Sequence, residues 1–273
     1  MRLNILSDLH LQKKCIISKT KSDVAILAGD ISENPLLSMP IGYNAVPNSK
    51  NIVQIAGNHD YIGYDYNTAL NILFSNQKGD HYFLENSTCI IQEDITVRFI
   101  GCTLWTNFSL FDKSDVFIKK YADSVHDFYR IKNFMPEEWL RRHIQSKEFI
   151  LDTVSSAFDG TNIIIHHHLT DFRSVHPQYQ KSPLTPAYAM SDMQAIFTHP
   201  KCSLIVHGHT HNNVTWRYNE NSPLVVCNPM GGTYYECDYP TAMNSDFNPD
   251  FCVDIDKKFK ATICSVKDKE DVL

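Results

Sequence analysis

Five short apolar runs, each followed at once by a cluster of polar side chains, constrain the fold of this chain more than any other feature. The runs are Leu3–Leu6, Val24–Ala28, Ile52–Ala56, Ile163–Ile165 and Leu204–Val206. Short runs rich in isoleucine and valine are typical of strands buried on both faces. Functional groups in such sheets gather where the carboxyl ends of strands meet loops. We therefore predict that the five polar clusters lie close together.

Helical patterns are fewer than strand patterns. The strongest is Pro136–Phe158, because proline suits the first helical position, Glu137 and Glu138 suit the first turn, and Gly160 follows the end. Weaker helices are predicted at Asn67–Asn76, Ser114–Tyr129 and Ser191–Phe197. The mixture of strands and helices predicts an α/β or α+β fold with more than one sheet.

Other segments complete this outline. Alternating patterns predict strands that start near Tyr82, Cys89, Val97, Val214 and Leu224, with an edge strand near Val253. The segment Asn34–Asn48 contains three prolines and no periodicity, so we predict an irregular loop there. We expect one domain over residues 1–273. A segment at 107–133, rich in phenylalanine and tyrosine, is a candidate cap over the site.

The polar clusters contain side chains that bind metals. They are Asp8, His10, Asp30, Asn58, His59, Asp60, His166, His167, His168, His209 and His211. Carboxylate and imidazole ligands without a thiolate favour Mn, Fe or Zn. Because these are too many ligands for one four-coordinate ion, we predict two divalent metal ions bridged by a carboxylate. Metal pairs of this kind lie about 3.5–4 Å apart.

Taken in order, the five clusters resemble the motif blocks of the calcineurin-like metallophosphoesterases. The blocks are Asp8-x-His10, Gly29-Asp30, Gly57-Asn58-His59-Asp60, the histidine run 166–168 and Gly208-His209-x-His211. Trp105, Asp127–Arg130 and Cys227-Asn228-Pro229 resemble features of a bacterial-type phosphohydrolase branch of that family. The resemblance implies a four-layer α/β sandwich of two mixed β-sheets flanked by helices, with a dimetal site at one edge.

The resemblance also implies a role for each residue. Asp8, His10 and His211 would hold the first metal, Asn58, His209 and one histidine of the run would hold the second, and Asp30 would bridge them. We expect His167 to be the ligand of the run, with His166 and His168 together on the opposite face. His59 would protonate the leaving oxygen or steady the transition state, and Asp60 would orient His59.

These roles predict a metal-dependent phosphoric ester hydrolase. It would hydrolyse a phosphomonoester or phosphodiester by attack of a metal-bridging hydroxide. Two divalent cations bring four positive charges, of which Asp8, Asp30 and the hydroxide remove three, so the site attracts a phosphate. Arg130 has two interpretations: an ion-pair partner of Asp127 or another carboxylate, or a substrate-binding residue that contacts the phosphate.

Two other functions stay open from sequence: a nucleotide or cyclic-nucleotide phosphodiesterase or nuclease, and a non-catalytic protein-binding scaffold. The net charge of −6, without a stripe of lysine and arginine, argues against an extended nucleic-acid surface. No apolar run approaches a membrane span, so we expect a cytoplasmic protein that does not bind membranes. The sequence indicates neither the natural substrate nor the oligomeric state.

The remaining cysteines and histidines receive structural interpretations. The eight cysteines include no C-x-x-C pair, and we expect them to be reduced and buried. We expect His81, His126 and His143 to be exposed or partly buried side chains, and His176 and His199, which precede prolines, to lie in loops.

Overall fold

The computed structural model describes residues 1–234 and 241–264. Within these residues the strands are β1 (Arg2–Leu6), β2 (Ser22–Ala28), β3 (Ser49–Ile55), β4 (His81–Leu84), β5 (Ser87–Gln92), β6 (Thr96–Gly101), β7 (Thr161–Ile165), β8 (Cys202–Val206), β9 (Val214–Trp216), β10 (Leu224–Cys227), β11 (Thr233–Tyr234), β12 (Thr241–Ala242), β13 (Cys252–Ile255) and β14 (Ala261–Ile263). The α-helices are α1 (Pro35–Ala45), α2 (Tyr66–Ser75), α3 (Ser114–Tyr121), α4 (Asp127–Arg130) and α5 (Pro136–Ser155).

Two mixed sheets of six strands each form the framework. The first sheet has the order β14-β13-β1-β2-β3-β4, and the second has the order β5-β6-β7-β8-β10-β9. Strands β1 to β4 are parallel, as are β6, β7, β8 and β10, whereas the outer strands β13, β14, β5 and β9 pair antiparallel. The short strands β11 and β12 pair separately.

The two sheets face each other across the main hydrophobic core. Ile5 and Ile26 of the first sheet share one buried cluster with Phe99 and Ile165 of the second. The outer face of the first sheet packs on α1 and the outer face of the second on α5. Burial of every parallel strand on both faces explains their continuous apolar runs. The prediction of a four-layer α/β sandwich is confirmed.

The predicted helices are present with different bounds. The strongest pattern, Pro136–Phe158, corresponds to α5, and the weaker pattern Asn67–Asn76 corresponds to α2. The predicted helix Ser114–Tyr129 is interrupted: α3 ends at Tyr121, a single 3₁₀ turn follows, and α4 begins at Asp127. The segment predicted as helix Ser191–Phe197 is instead a 3₁₀ turn at Gln194–Thr198.

The prediction of a loop at Asn34–Asn48 is wrong, because α1 occupies most of that segment. The Asn34 side chain accepts a hydrogen bond from the backbone N–H of Leu36 at 3.0 Å, which caps the helix, and Pro35 lies in the first turn. Pro40 removes one helical hydrogen bond. The buried face that contains Met39 and Ile41 offsets that loss by packing on the first sheet.

Three smaller expectations are also corrected. The strand near Val253 is β13, which lies inside the first sheet between β1 and β14 and not at its edge. His81 and His143 are each only 3% exposed. Their burial is tolerated because the His81 ring hydrogen bonds to Gln54 and the His143 ring hydrogen bonds to the carbonyl of Trp105. His126 is exposed as expected.

The seven described cysteines are all free thiols. Cys102, Cys202, Cys227 and Cys252 are buried, whereas Cys15, Cys89 and Cys264 are partly exposed. Cys237 lies outside the described residues. Within the described residues, no helix combines the length and the apolar character needed to cross a membrane.

Candidate metal centre

The loops that follow five parallel strands meet at one edge of the sandwich. Asp8 and His10 follow β1, Asp30 follows β2, Asn58 and His59 follow β3, His167 follows β7, and His209 and His211 follow β8. Backbone hydrogen bonds join these loops: the N–H of Asp8 donates to the carbonyl of Gly29 at 3.0 Å, and the N–H of Gly208 to the carbonyl of His167 at 3.2 Å. Parallel pairing thus brings together side chains that are remote in sequence.

Five of the seven predicted metal ligands have left-handed backbone conformations. The φ angles are 52° at Asp8, 48° at His10, 54° at Asp30, 71° at His209 and 53° at His211. This region is unfavourable for residues with a side chain and is retained where the surroundings over-determine it. These backbone conformations therefore accompany the convergence of the side chains at the place where the loops meet.

Four side chains form the first group of potential ligands. One oxygen or ring nitrogen from each of Asp8, His10, Asp30 and His211 lies within 4.8 Å of the others. Nε2 of His211 is 3.5 Å from Oδ1 of Asp8, and Nε2 of His10 is 3.6 Å from Oδ2 of Asp30. The two histidine Nε2 atoms lie 3.3 Å apart. These are the residues predicted for the first metal together with the predicted bridge.

The second group shares Asp30 with the first. Ligand atoms of Asp30, His167 and His209 lie within 4.8 Å of one another, and Nε2 of His167 is 3.2 Å from Oδ2 of Asp30. Nδ1 of His167 donates to the carbonyl of Ala28 at 2.9 Å, which leaves Nε2 as the nitrogen with a free lone pair in the neutral ring. Asp30 is therefore the one predicted residue common to both groups.

Several buried polar atoms at this edge lack a hydrogen-bond partner among the described residues. They are Oδ1 of Asn58, Nε2 of His168 and Nε2 of His209, together with Oδ2 of Asp30 and Nε2 of His167, which form an ion pair at 3.2 Å but make no hydrogen bond. An unpaired buried oxygen or nitrogen costs free energy, and buried polar groups are almost always satisfied. Carboxylate, amide and imidazole donors suit divalent Mn, Fe or Zn. The residues present therefore fit the predicted pair of metal ions.

Three glycines allow the loops to close around His167, and one of them is Gly57, where a Cβ atom would lie 2.6 Å from Nε2 of this ring. A Cβ atom on Gly29, whose φ is +87°, would lie 2.5 Å from Nδ1 of His167, and a Cβ on Gly208 would lie 2.7 Å from the same atom. Any larger residue would displace the ring. The glycines in the second, third and fifth motif blocks thus have a packing role at this histidine.

Buried carboxylates and imidazoles in the cluster shift each other's pKa. Burial alone would raise the pKa of Asp30, but the rings of His167 and His59 outweigh it and hold that pKa well below its usual range. Burial likewise opposes protonation of His167, yet Asp30 and Asp8 raise the pKa of that ring to about 9. Without cations, protons on the imidazoles therefore compensate the buried carboxylates.

The three consecutive histidines lie in different surroundings. Strand β7 ends at Ile165, so strand alternation does not continue through the run, and the prediction that His166 and His168 share a face is wrong. His166 stacks on His207, with ring centroids 5.9 Å apart. His168 lies beside the cluster, 4.5 Å from the ring of His209, and burial lowers the pKa of His168 to about 3.

Asp60 lies behind the loops that carry the predicted ligands. Its buried carboxylate accepts hydrogen bonds from the backbone N–H groups of Asp30 at 2.8 Å and Gly57 at 2.9 Å, and from the hydroxyl of Ser38 at 2.6 Å. It therefore joins the loops after β2 and β3. Glu33 and not Asp60 contacts the His59 ring. Asp60 reaches His59 only through Asp30, whose Oδ1 accepts from the backbone N–H of His59 at 2.8 Å, so the orienting role of Asp60 stays a prediction.

Glu33 links two predicted site residues, and the sequence reasoning missed it. Its Oε1 is 2.9 Å from Nδ1 of His59, and its Oε2 accepts a hydrogen bond from Arg130 at 2.9 Å. Of the two interpretations of Arg130, the ion pair with another carboxylate is present, and Asp127 is not the partner. Only the position of Glu33, three residues after Asp30, could have suggested its role.

Asp127 fixes the orientation of Asn58. Nδ2 of Asn58 donates to Oδ1 of Asp127 at 2.7 Å, and both side chains are buried. That bond assigns the amide nitrogen to Asp127 and leaves the buried amide oxygen, Oδ1, without a hydrogen bond among the described residues. The Asp127–Arg130 segment was noted in the sequence, but its contact with Asn58 depends on the break between α3 and α4.

Comparisons with known proteins agree with this architecture. A family model described as calcineurin-like phosphoesterase matches residues 1–213. The phosphopantetheinyl hydrolase of Mycobacterium tuberculosis is similar in structure, with a TM-score of 0.61 and 13% sequence identity over 83% of this chain and 88% of that chain. The NAD nucleotidase of Haemophilus influenzae gives a TM-score of 0.44 and 11% identity over 89% of this chain and 40% of that chain. No curated protein sequence matches. At these identities the first structural likeness concerns the fold alone.

Proposed function

Since the chain belongs to the calcineurin-like phosphoesterase family of metal-dependent phosphoester hydrolases, we propose that it hydrolyses small phosphomonoesters or phosphodiesters at a dimetal centre. Asp8, His10 and His211 hold one cation, and Asn58, His167 and His209 hold the other. Asp30 bridges the two. The proposed cations are Mn, Fe or Zn, because the donors are oxygen and nitrogen without thiolate.

One observation carries this proposal: the convergence of buried carboxylate, amide and imidazole atoms that make no hydrogen bond within the described part of the chain. Oδ2 of Asp30 belongs to both ligand groups and lies 3.2 Å from Nε2 of His167, and Nε2 of His209 has no hydrogen-bond partner among the described residues. A purely structural cluster would satisfy these atoms with hydrogen bonds. A non-catalytic scaffold would have no need to keep all seven ligands and His59.

The reaction follows from the residues around the two groups. Cations bound there supply Lewis acidity towards the phosphate oxygens and a water of lowered pKa. Asn58 contributes a neutral oxygen, so the ligand set carries only the two negative charges of Asp8 and Asp30. The centre therefore keeps a positive charge that attracts the phosphate, although the whole chain carries −6.

His59 supplies the proton for the leaving oxygen in this proposal. Its side chain is 25% exposed at the mouth of the site, and Glu33 holds its Nδ1, which leaves Nε2 for the substrate. Burial opposes protonation of the ring, but Asp30 and Glu33 raise the pKa of His59 to about 9 in the absence of cations. Arg130 is 41% exposed beside Glu33, where its guanidinium can also contact an entering phosphate.

Residues 107–133 are the proposed cap of the same domain, taken as residues 1–273. Most aromatic side chains of this segment pack in a buried cluster with Trp105 and Trp139. The end of the segment approaches the site, because Asp127 binds Asn58 and Arg130 binds Glu33. This placement suits a wall that sets the size of the substrate, and a small nucleotide remains the alternative substrate class.

Metal analysis coupled to kinetics tests the proposal. Wild-type protein purified with Mn and dialysed should retain two ions per chain and hydrolyse p-nitrophenyl phosphate or bis(p-nitrophenyl) phosphate. Asp30→Asn should lose at least one ion and lower kcat by at least about 100-fold, since both cations depend on the bridging carboxylate. A parallel panel of nucleotide monoesters and cyclic diesters ranks the substrate classes.

The matched control is His126→Gln, which changes an exposed histidine outside the site. It should keep both metal ions and the wild-type kcat. An Asp30→Asn protein that keeps two ions and full turnover would overturn the dimetal scheme.

A further inference from the structure

A cavity lies between helix α1, the beginning of strand β3 and the turn that leads into strand β4. Its volume is about 680 Å³, and its wall includes Lys14, Tyr43, Lys50, Lys78 and His81. Cavities of about 300–1,000 Å³ accommodate small organic ligands. None of the residues proposed above to hold cations lines this cavity, which we call the distal cavity.

The charges around the distal cavity favour an anion. Three lysines and one aspartate, Asp80, line it. Lys50 pairs with Asp23 at 2.7 Å and with Glu93 at 3.2 Å. Lys14 and Lys78 make no ion pair with any residue in the described ranges, so their ammonium groups are available to a ligand. Two unpaired ammonium groups at one cavity attract a phosphate, sulfonate or carboxylate.

The cavity also contains an aromatic surface. The ring of Tyr43 is 63% exposed, although tyrosine is a large and largely apolar side chain. It stacks on the buried ring of His81 with centroids 6.4 Å apart and an interplanar angle of 27°. Pro40, Pro47 and Ile52 add apolar wall. Together these groups suit a planar, apolar body attached to the anionic group.

A chain of buried hydrogen bonds connects the distal cavity to the metal centre. Nε2 of His81 is 3.0 Å from Oε1 of Gln54, and Nε2 of Gln54 donates to the Ser38 hydroxyl at 2.8 Å. That hydroxyl donates to Oδ1 of Asp60 at 2.6 Å. Asp60 in turn holds the backbone N–H of Asp30. We call His81, Gln54, Ser38 and Asp60 the polar chain, and all four residues are buried.

The polar chain has two possible directions. Burial lowers the pKa of His81 to about 4, so its ring is neutral near pH 7, with one donor and one acceptor nitrogen. Nδ1 of His81 has no partner among residues 1–234 and 241–264. An anion that accepts a hydrogen bond from Nδ1–H makes Nε2 the acceptor. Gln54 must then turn its amide, and the Ser38 hydroxyl donates to Gln54 instead of to Asp60.

We propose that the distal cavity is a second ligand site for an aromatic organic anion, and that the polar chain transmits its occupation to the metal centre. When the hydrogen bonds of the polar chain reverse, Asp60 loses the hydrogen bond from the Ser38 hydroxyl. The loop that carries Asp30, which Asp60 holds, is then less firmly fixed. Occupation should therefore inhibit turnover without competing with substrate. The binding site stands independently of the proposed function, whereas the kinetic effect rests on it.

Calorimetry on the metal-loaded protein tests the site first. The probes are naphthalene-2-sulfonate, an aromatic anion with no phosphoester, and adenosine 5′-monophosphate. At least one should bind saturably, and the double variant Lys14→Ala/Lys78→Ala and the variant Tyr43→Ala should each weaken that binding at least fivefold. Only the binding that these variants weaken is assigned to the distal cavity, because the nucleotide can also bind at the metal centre. Of that binding, a tighter nucleotide assigns the anion as a phosphate, and a tighter sulfonate assigns a non-phosphate anion. Absence of saturable binding, or binding that both variants leave unchanged, overturns the site.

Kinetics with naphthalene-2-sulfonate test the transmission, because adenosine 5′-monophosphate is a phosphomonoester that the proposed metal centre would itself bind. In wild-type protein the bound probe should lower kcat for p-nitrophenyl phosphate at least twofold at constant KM, and Lys14→Ala/Lys78→Ala should abolish this effect without changing basal activity. Gln54→Met, which cannot hydrogen bond, should bind the probe but no longer respond in kcat. Ser38→Ala replaces it if Gln54→Met fails to fold. Competitive inhibition, or an effect that persists without the polar chain, overturns the transmission. A protein without turnover would leave the calorimetric result standing and would refute the proposed function instead.

Discussion

At the scale of single residues, the candidate ligands were predictable because their types and spacings are local properties of the sequence. Asp8 and His10 lie two positions apart, as do His209 and His211, and all four approach Asp30 or its neighbours in space. Glu33 was not predictable in this way. Its contacts join His59 to Arg130, which is 97 residues away from Glu33 along the chain.

Replacing Glu33 by glutamine should slow catalysis without removing the metal ions. The hydrogen bond from His59 lowers the pKa of Glu33 to about 2, so the carboxylate is ionised and can accept from both His59 and Arg130. Glutamine offers one oxygen in place of two. Outer partners of this kind are worth about 10- to 100-fold in activity, and we expect a loss of kcat in that range. Steady-state kinetics and metal analysis on the same preparation measure it.

The control for this change is Glu93→Gln, which affects an exposed ion pair with Lys50 far from the site. Its kcat should equal that of the wild type. If Glu33→Gln instead loses metal in proportion to activity, Glu33 maintains the structure of the site and does not position His59.

At the scale of elements, the strands were more predictable than the segments between them. Continuous apolar runs identify buried strands without any tertiary information, and β1, β2, β3, β7 and β8 were located in this way. Helix α1 could not be predicted, because the three prolines of its segment are typical of a loop. Its stability comes from packing on Leu27 and Ile52, which the local sequence does not reveal. The break after α3 likewise follows from tertiary contacts, since Asp127 turns inward to bind Asn58.

Asp60→Asn should destabilise the turns that carry the ligands. The Asp60 carboxylate accepts hydrogen bonds from the loops after β2 and β3 and from α1. An amide of the same shape turns one acceptor into a donor that faces N–H groups. Hydrogen bonds to a charged group contribute about 1.5–3 kcal/mol each, so we expect the free energy of unfolding to fall by about 2–3 kcal/mol. Urea denaturation measures the difference.

Asp65→Asn provides the matched control for Asp60→Asn. Asp65 caps α2 by accepting from the N–H groups of Asn67 at 3.1 Å and Thr68 at 3.3 Å, and asparagine caps helices equally well. The free energy of unfolding should change by less than about 0.5 kcal/mol. Equal effects of the two substitutions would mean that Asp60 has no special role in joining the loops.

At the scale of the whole molecule, the site exists only because the two sheets pack face to face with the carboxyl ends of their parallel strands at the same edge of the sandwich. The first sheet contributes Asp8, Asp30 and Asn58, and the second contributes His167 and His209. The sequence predicted this convergence through the order of the motif blocks. It could not give the pairing of the sheets, which depends on the shared core between β2 and β7.

The same arrangement concentrates charge between the sheets and makes the stability of the metal-free protein depend on pH. Burial opposes protonation of His167, but Asp30 and Asp8 raise its pKa to about 9 in the folded state, against an ordinary value of 6.5. A raised folded-state pKa contributes stability that is fully present below pH 6.5 and is lost as the pH rises through 9. The shift corresponds to about 3 kcal/mol for a fully buried group.

The melting temperature of metal-free protein should therefore fall between pH 6.5 and 9, whereas metal-loaded protein should lose less. Cations take the place of the imidazole proton, and their affinity rises as His167 deprotonates. Differential scanning calorimetry with a chelator and with Mn measures both curves, and their separation should widen with pH. In metal-free His167→Gln the fall should be smaller, while His126→Gln should keep the wild-type slope. If the two wild-type curves instead ran parallel across this range, protons and cations would not compete for the same buried carboxylates, and the charge balance proposed for this edge of the sandwich would be wrong.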